Sequence, residues 1–465
     1  MGATSAVAFS FEGSPGAYTS SDVRSRLLTD LGFVIPPEFD EIAGDARARP
    51  GHPRPCARRG SSRGAPTLAR VIDGASSVCP STDVDLWADD VLIDPYPAYA
   101  ELRELGPVVW MTKFGAYALP RYDEVRAVLQ DWQRFTSARG VGMDDRMNAK
   151  SGRGILTTDP PLHDTRRKVL NAQLVPRALT AHEEAITARA EAMVASLVEQ
   201  GSFDAVADLA QPYSVGVVAE LVGLPEQGRE HLLERAAAAF NTFGPDNDLL
   251  RSSQAGFREL FDYCTGFATP ERLEPGRWGS QIYAAGERGD IEPEACPGLM
   301  LAYAWAGMDT TVNALSAAVW LFGQHPDQWE LVRGDRSLVP SAFNEVLRIE
   351  PPVQRFTRLA ACPVDLGGFT LPDGARVAVL FGSANRDERH FADPDRFDVT
   401  RNPVDHLSFG RGIHHCVGAG LARLEGHAVI AALAARVERF EISEASWRRN
   451  NALHGLAELR VRVHA

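Results

Sequence analysis

Phe409-Gly410-Arg411-Gly412-Ile413-His414-His415-Cys416-Val417-Gly418 is the stretch on which the reading of this chain turns. One cysteine stands among glycines, two residues after a histidine, and the apolar, helix-favouring run Leu421-Ala422-Arg423-Leu424-Glu425 begins five residues later. A cysteine at the mouth of a helix meets unpaired N–H groups and the positive end of the dipole, which favour a thiolate and hence a metal-binding sulfur. Gly412 and Gly418 let the backbone approach a flat cofactor that side chains would obstruct. Taken alone, the string also fits a buried structural thiol, the common fate of free cysteine.

The chain has 465 residues, 45% of them apolar and 23% charged, enough for one large domain with an ample core or two to three average ones. A formal net charge of −13 argues against a nucleic-acid binder, which needs a basic face to displace counterions. The six cysteines are scattered without paired spacing, so neither a disulfide framework nor a zinc site is suggested, and a cytoplasmic location is the simpler expectation. Residues 1–80 read as a disordered or non-native N-terminal extension, because 44–65 is dense in Arg, Pro, Gly and Ser and poor in apolar surface. Order is expected from about Val84, in a single catalytic domain over 84–465. That domain is mostly helical, with short strands at 108–110 and 116–119 and strand-like segments at 364–379.

Residues 295–325 carry a single charge, Asp309. A carboxylate at the centre of a membrane span is costly, so the stretch reads as a buried core helix and not a span. Within it, Ala306-Gly307-Met308-Asp309-Thr310-Thr311 sets an acid beside two hydroxyls in apolar surroundings, an expensive placement unless the groups are partnered or used. Proton delivery is the functional use, and Thr can bond back to the i−4 carbonyl and loosen the helix. In Asp159-Pro160-Pro161-Leu162-His163-Asp164-Thr165-Arg166-Arg167-Lys168, His163 and Arg167 share one helical face, either to hold carboxylates or simply to meet water. Glu345 and Arg348, three apart, are placed for a charge-assisted pair.

Phe409, Gly412, His414, Cys416 and Gly418, with the Asp159–Arg167, Asp309–Thr310 and Glu345–Arg348 strings in that order, resemble the signatures of the cytochrome P450 family over residues 84–465. The resemblance implies that family's mostly α fold with small β-sheets, with haem b between the Asp309-Thr310 helix and the Cys416 loop. Cys416 would be the axial iron ligand, and Asp309 and Thr310 the catalytic proton carriers. His163, Arg167, Arg358 and His414 would hold the haem propionates, with Phe409, Gly410 and Gly418 shaping the loop. Glu345 and Arg348 would clamp the segment beneath the haem together with Arg396 or Arg401. No flavin or nicotinamide fingerprint occurs, so electrons would come from a ferredoxin or flavodoxin and its NAD(P)H-dependent reductase, with Arg166, Lys168 and Arg411 as a docking face. The implied activity is monooxygenation with O2 and two electrons.

Further likenesses at 137–142, 240–245, 352–356 and 381–387 are to the branch of that family that O-demethylates para-methoxybenzoate and related aromatic acids. They imply a small aromatic substrate walled by Phe240, Phe243 and Phe356, with Arg139 at an anionic end. Trp305 departs from that branch, where a small serine is expected, and narrows the pocket. A methoxyphenol of the guaiacol type is the alternative to a para-methoxybenzoate-like acid. A non-catalytic haem-thiolate sensor or carrier, or a peroxide-dependent haem-thiolate enzyme, would not require Asp309 and Thr310.

Overall fold

Short β-branched and aromatic runs early in the chain find partners from its last third. The computed structural model describes residues 79–150 and 154–465, so the expectation for the N-terminal extension lies outside the described residues except at Cys79 and Pro80. Strands β1 (Ser81–Thr82), β2 (Val109–Met111), β3 (Ala116–Leu119) and β4 (Phe135–Thr136) join two later strands in one six-stranded sheet. Those two are β6 (Arg355–Ala360) and β9 (Arg376–Leu380), and the order is β1-β2-β3-β9-β6-β4. β1 starts the order three residues before the expected Val84, because it pairs in parallel with β2. Strand β5 (Ser202–Asp204) adds to β11 (Leu456–His464), which forms a long antiparallel hairpin with β10 (Arg439–Trp447). β7 (Val364–Leu366) and β8 (Phe369–Leu371) form a separate pair.

The helices that position the site are α1 (Leu162–Leu174), α2 (Glu183–Gln200), α3 (Gln211–Val222), α4 (Leu232–Asn241), α5 (Asp248–Asp262), α6 (Cys296–Ala306), α7 (Asp309–Gln324), α8 (Val339–Ile349) and α9 (Ala419–Ala434). The largest core, which includes Leu315, Phe322, Trp329, Phe343, Val429 and Leu433, joins α7, α8 and α9. Each such side chain contributes about 1.5–3 kcal/mol on burial. α9 packs on α2, α7 and α8, so the helix that follows the Cys416 loop is held from three sides. Among the described residues no helix is long and apolar enough to cross a membrane.

Two expectations are corrected. The apolar stretch 295–325 is not one helix: α6 ends at Ala306 and α7 begins at Asp309. The Thr310 hydroxyl donates to the Ala306 carbonyl (2.8 Å) and the Ser214 hydroxyl to the Met308 carbonyl (3.1 Å), so side chains take over carbonyls at the break. Helices α3 and α4 are separated between Val222 and Leu232, where Gly223 takes a left-handed φ and ends α3. Cys362 is disulfide-bonded, whereas sequence spacing suggested no pairing; Cys79, Cys264, Cys296 and Cys416 are free.

Candidate active site

The Cys416 loop is built by its own backbone. The Cys416 amide donates to the Phe409 carbonyl (2.8 Å) and the Gly410 amide to that of Leu407 (2.8 Å), folding the entry to the loop back on itself. Gly412 has φ +69°, and a Cβ there would lie 2.3 Å from the Leu129 carbonyl oxygen, so no side chain fits. Gly410 is also left-handed, and Gly418 caps α9. The Phe409 ring lies under the Arg423 guanidinium at 4.7 Å.

Cys416 is the one exposed thiol among the described cysteines, although protein surrounds it closely enough for burial to push its pKa up. The amides of Gly418 and Ala419 and the charges of Arg167 and Arg423 pull the other way and do not prevail. Metal coordination deprotonates such a thiol outright.

Around the loop stands a set of donors short of acceptors. His163 and His414 meet edge to face at 4.8 Å, and the Nε2 atom of each is buried without a hydrogen-bond partner. His163 Nδ1 faces Asp164 (3.0 Å), which fixes its ring. Burial and the neighbouring Arg358 and His163 bring His414 down to about 4 against the pull of Asp159, so it is neutral at pH 7. Arg358 is 4% exposed, and its Nη1 donates to the Thr357 carbonyl (2.8 Å). Burial lowers its pKa to about 10, with Asp159 the one carboxylate opposing that. Arg167 is lowered by burial too, and its Nε donates to Asn171 (3.1 Å). Four buried or half-buried donors from three segments, with Asp159 half-buried among them and Asp164 exposed at the edge, match a ligand that carries carboxylates.

Asp309 is 1% exposed at the first position of α7. Its Oδ1 accepts from Arg448 Nη2 at 2.8 Å, and its Oδ2 has no partner. Thr310, next to it, is half-buried. Thr311 donates to Glu425 Oε2 (3.4 Å), tying α7 to α9. Glu425 is fully buried, and burial holds its carboxyl well above the usual range despite the Thr311 bond. Glu345 and Arg348 are both fully buried and meet through two bonds, 2.7 and 2.8 Å. The third member is Arg401, whose Nε donates to Glu345 at 3.1 Å; Arg396 supplies its carbonyl to Arg348 instead.

The aromatic residues come together. Trp305 packs on Phe240 at 4.7 Å and Phe243 at 5.4 Å, and Phe243 meets Phe356 at 5.3 Å. Ala452 and Leu453 complete this cluster. Phe240 is buried like a core residue, whereas Phe243, Trp305 and Phe356 keep exposed surface. Arg139 does not join them: its side chain is exposed and has no ion pair or hydrogen bond among the described residues. Sequence reasoning missed Arg448 and Glu425. The first comes from the turn after β10, far along the chain from Asp309, and has no local signal; the second stood in the quoted run after Cys416, where an acid within an apolar helix was the available hint.

Residues 294–452 match the family model described as Cytochrome P450. The chain is 42% identical over 389 residues, 83% of its length and 94% of the relative's, to "Cytochrome p450 CYP199A2" of Rhodopseudomonas palustris. It is 32% identical over 413 residues to 6-deoxyerythronolide B hydroxylase of Saccharopolyspora erythraea, covering 82% of this chain and 99% of that one. With linalool 8-monooxygenase of Pseudomonas putida it shares 32% identity, over 81% of this chain and 97% of the relative. Among solved structures, P450BioI in complex with an acyl carrier protein superposes with a TM-score of 0.74 at 28% identity, over 81% of this chain and all of that one. CYP109E1 from Bacillus megaterium in complex with testosterone gives 0.73 at 28% identity, over 81% and 99%. The accessible cysteine, the unpaired donors around it and these matches lead to one assignment: the chain belongs to the cytochrome P450 family and is a monooxygenase with a cysteine-ligated haem b.

Proposed function

We propose that this monooxygenase hydroxylates or O-demethylates a small, neutral aromatic compound, a methoxyphenol in preference to a methoxybenzoate. When bound, the haem supplies the activation of dioxygen, one oxygen atom entering the substrate and the other leaving as water. Cys416 would supply the sulfur ligand to its iron. His163, Arg167, Arg358 and His414 would bind its two propionates, a role supported by buried N–H groups that the chain itself leaves with few acceptors. Glu345, Arg348 and Arg401 fix the segment carrying Phe397 and Val399 and act on structure, not on chemistry. Asp309 and Thr310 hold and hand on protons: a buried carboxylate with one free oxygen stands next to a hydroxyl at a helix break.

The observation that carries the substrate class is the cluster Phe240, Phe243, Trp305 and Phe356, whose three accessible rings suit a flat, apolar ligand. Trp305 sets an apolar indole against Phe240, and Arg139 is not part of the cluster, so the rings bring no cation to an anionic end. Electrons arrive from a ferredoxin or flavodoxin reduced by an NAD(P)H-dependent reductase, docking near Lys168 and Arg411; Arg166, also expected on that face, is 5% exposed and faces Glu292 at 3.7 Å, so it stands inside the fold and not on a docking surface. Titrating guaiacol and para-methoxybenzoate against the ferric haem spectrum tests the reading. A spin-state change with guaiacol at lower concentration than with the acid is expected; no change with either overturns the aromatic-ether assignment.

A further inference from the structure

The turn between β10 and β11 touches both the aromatic cluster and the acid. Arg448, at its start, donates to Asp309 Oδ1 (2.8 Å) and also approaches Asn313 Oδ1 (3.4 Å). The contact runs through a single nitrogen, not a two-pronged fork, so a small displacement of Arg448 turns or releases the carboxylate. The turn closes on itself through the Arg448 amide and the Gly455 carbonyl (2.9 Å). It lies so close to α7 that a Cβ on Gly455 would fall 2.0 Å from Asn313 Oδ1. It therefore has little room to move independently of Asp309 and Asn313.

The same turn is tied to the pocket wall. Asn451 donates from its amide to Asn241 Oδ1 (2.9 Å) and from its side chain to the Asn241 carbonyl (2.8 Å), and Asn450 donates to the Ala237 carbonyl (2.9 Å). All three bonds grip α4, next to Phe240. Ala452 and Leu453 pack directly on Phe240 in the cluster that includes Trp305 and Phe356. α4 also packs closely on α5, so the turn senses how that pair sits over the pocket.

We propose that residues 448–455 couple occupancy of the aromatic pocket to the orientation of Asp309, with Arg448 as the positioning residue. The proposal rests on the reading of Asp309 as a proton carrier. A ring that seats against Phe240 shifts Ala452 and Leu453, and the hydrogen-bonded turn passes the shift to Arg448. Asp309, buried and dependent on that one guanidinium, follows. Proton delivery is thereby set to the presence of substrate.

The test uses the haem-loaded enzyme with its electron-transfer partners and guaiacol, comparing Arg448→Gln, Arg448→Lys, Asn451→Ser and Asp309→Asn. Three readouts are taken: the substrate-induced spin-state change, product formed per NAD(P)H consumed, and the rate ratio in H2O and D2O. Arg448→Gln is expected to bind guaiacol within about twofold of the parent and to lose about fivefold or more in product per NAD(P)H, with an altered isotope ratio. Arg448→Lys restores most of that loss. Asn451→Ser, which leaves Arg448 and Asp309 in place, reproduces part of it, and the double variant with Arg448→Gln loses less than the product of the two single losses. Parent-like product yield and isotope ratio in both Arg448→Gln and Asn451→Ser, with both impaired in Asp309→Asn, overturn the coupling and leave the role of Asp309 standing. Parent-like values in Asp309→Asn overturn the role of Asp309 itself.

Discussion

Replacing Arg358 by methionine separates the folding of this protein from its hold on the cofactor. In the chain alone, burial pushes the Arg358 guanidinium down to about 10, and that drop corresponds to about 3 kcal/mol of penalty for keeping a charge in the fold at pH 7. Against it stands the bond from Nη1 to the Thr357 carbonyl (2.8 Å), worth about 1 kcal/mol net. Arg358→Met removes both, so the haem-free protein is expected to unfold at higher urea concentration, by about 2 kcal/mol. The loaded enzyme moves the other way. It loses a charge-assisted bond of about 1.5–3 kcal/mol to a carboxylate, a loss of roughly 10- to 150-fold in cofactor affinity. Urea unfolding of the haem-free form and the rate of haem transfer to an excess of apomyoglobin measure the two effects. A less stable haem-free variant, or one that retains haem as the parent does, refutes the argument that Arg358 is kept for an anionic ligand.

Glu345→Gln leaves the fully buried Arg348 without its carboxylate and is expected to cost about 3–5 kcal/mol by chemical unfolding, whereas Arg401→Ala, at the edge of the same network, costs clearly less. His406, 3% exposed and accepting from the Ser408 amide (3.2 Å), is brought down to about 3 by burial and by Arg423 and Arg411. The unfolded chain therefore takes up its proton near pH 6.5 while the fold does not. Stability falls as pH drops below about 6.5, by about 1.4 kcal/mol per pH unit for this group, until pH passes the folded value; His406→Gln should flatten that slope in unfolding curves collected at several pH values. Trp305→Ser opens the aromatic cluster, and para-methoxybenzoate should gain on guaiacol in the ratio of their dissociation constants.

Chemistry written in neighbouring residues is legible in the amino-acid order itself. The Cys416 loop, the His163–Arg167 face and the Glu345–Arg348 pair depend on a few consecutive backbone turns, and each forms where its spacing places it. What depends on packing between distant segments is not. Arg401 and Arg396 look equivalent in sequence because both belong to the same aspartate-rich string, and only the fold decides which side chain reaches Glu345. The break at Gly307 and Met308 needs the Ser214 hydroxyl from another helix. Arg448 reaches Asp309 across 139 positions of sequence, from the turn of a hairpin whose strands alternate but whose turn gives no sign of what it touches. The surroundings of Cys416 are hidden for a related reason: helix-end electrostatics are local, whereas the burial that opposes them comes from the whole molecule.

The account stands on Cys416 as a thiolate ligand to haem iron. Reducing the purified, haem-loaded protein and recording its difference spectrum with carbon monoxide tests this most directly. The strongly red-shifted Soret band of a thiolate-ligated haem is expected in the parent and is lost in Cys416→His. A parent spectrum that shows only the unshifted band of a nitrogen-ligated haem contradicts the assignment.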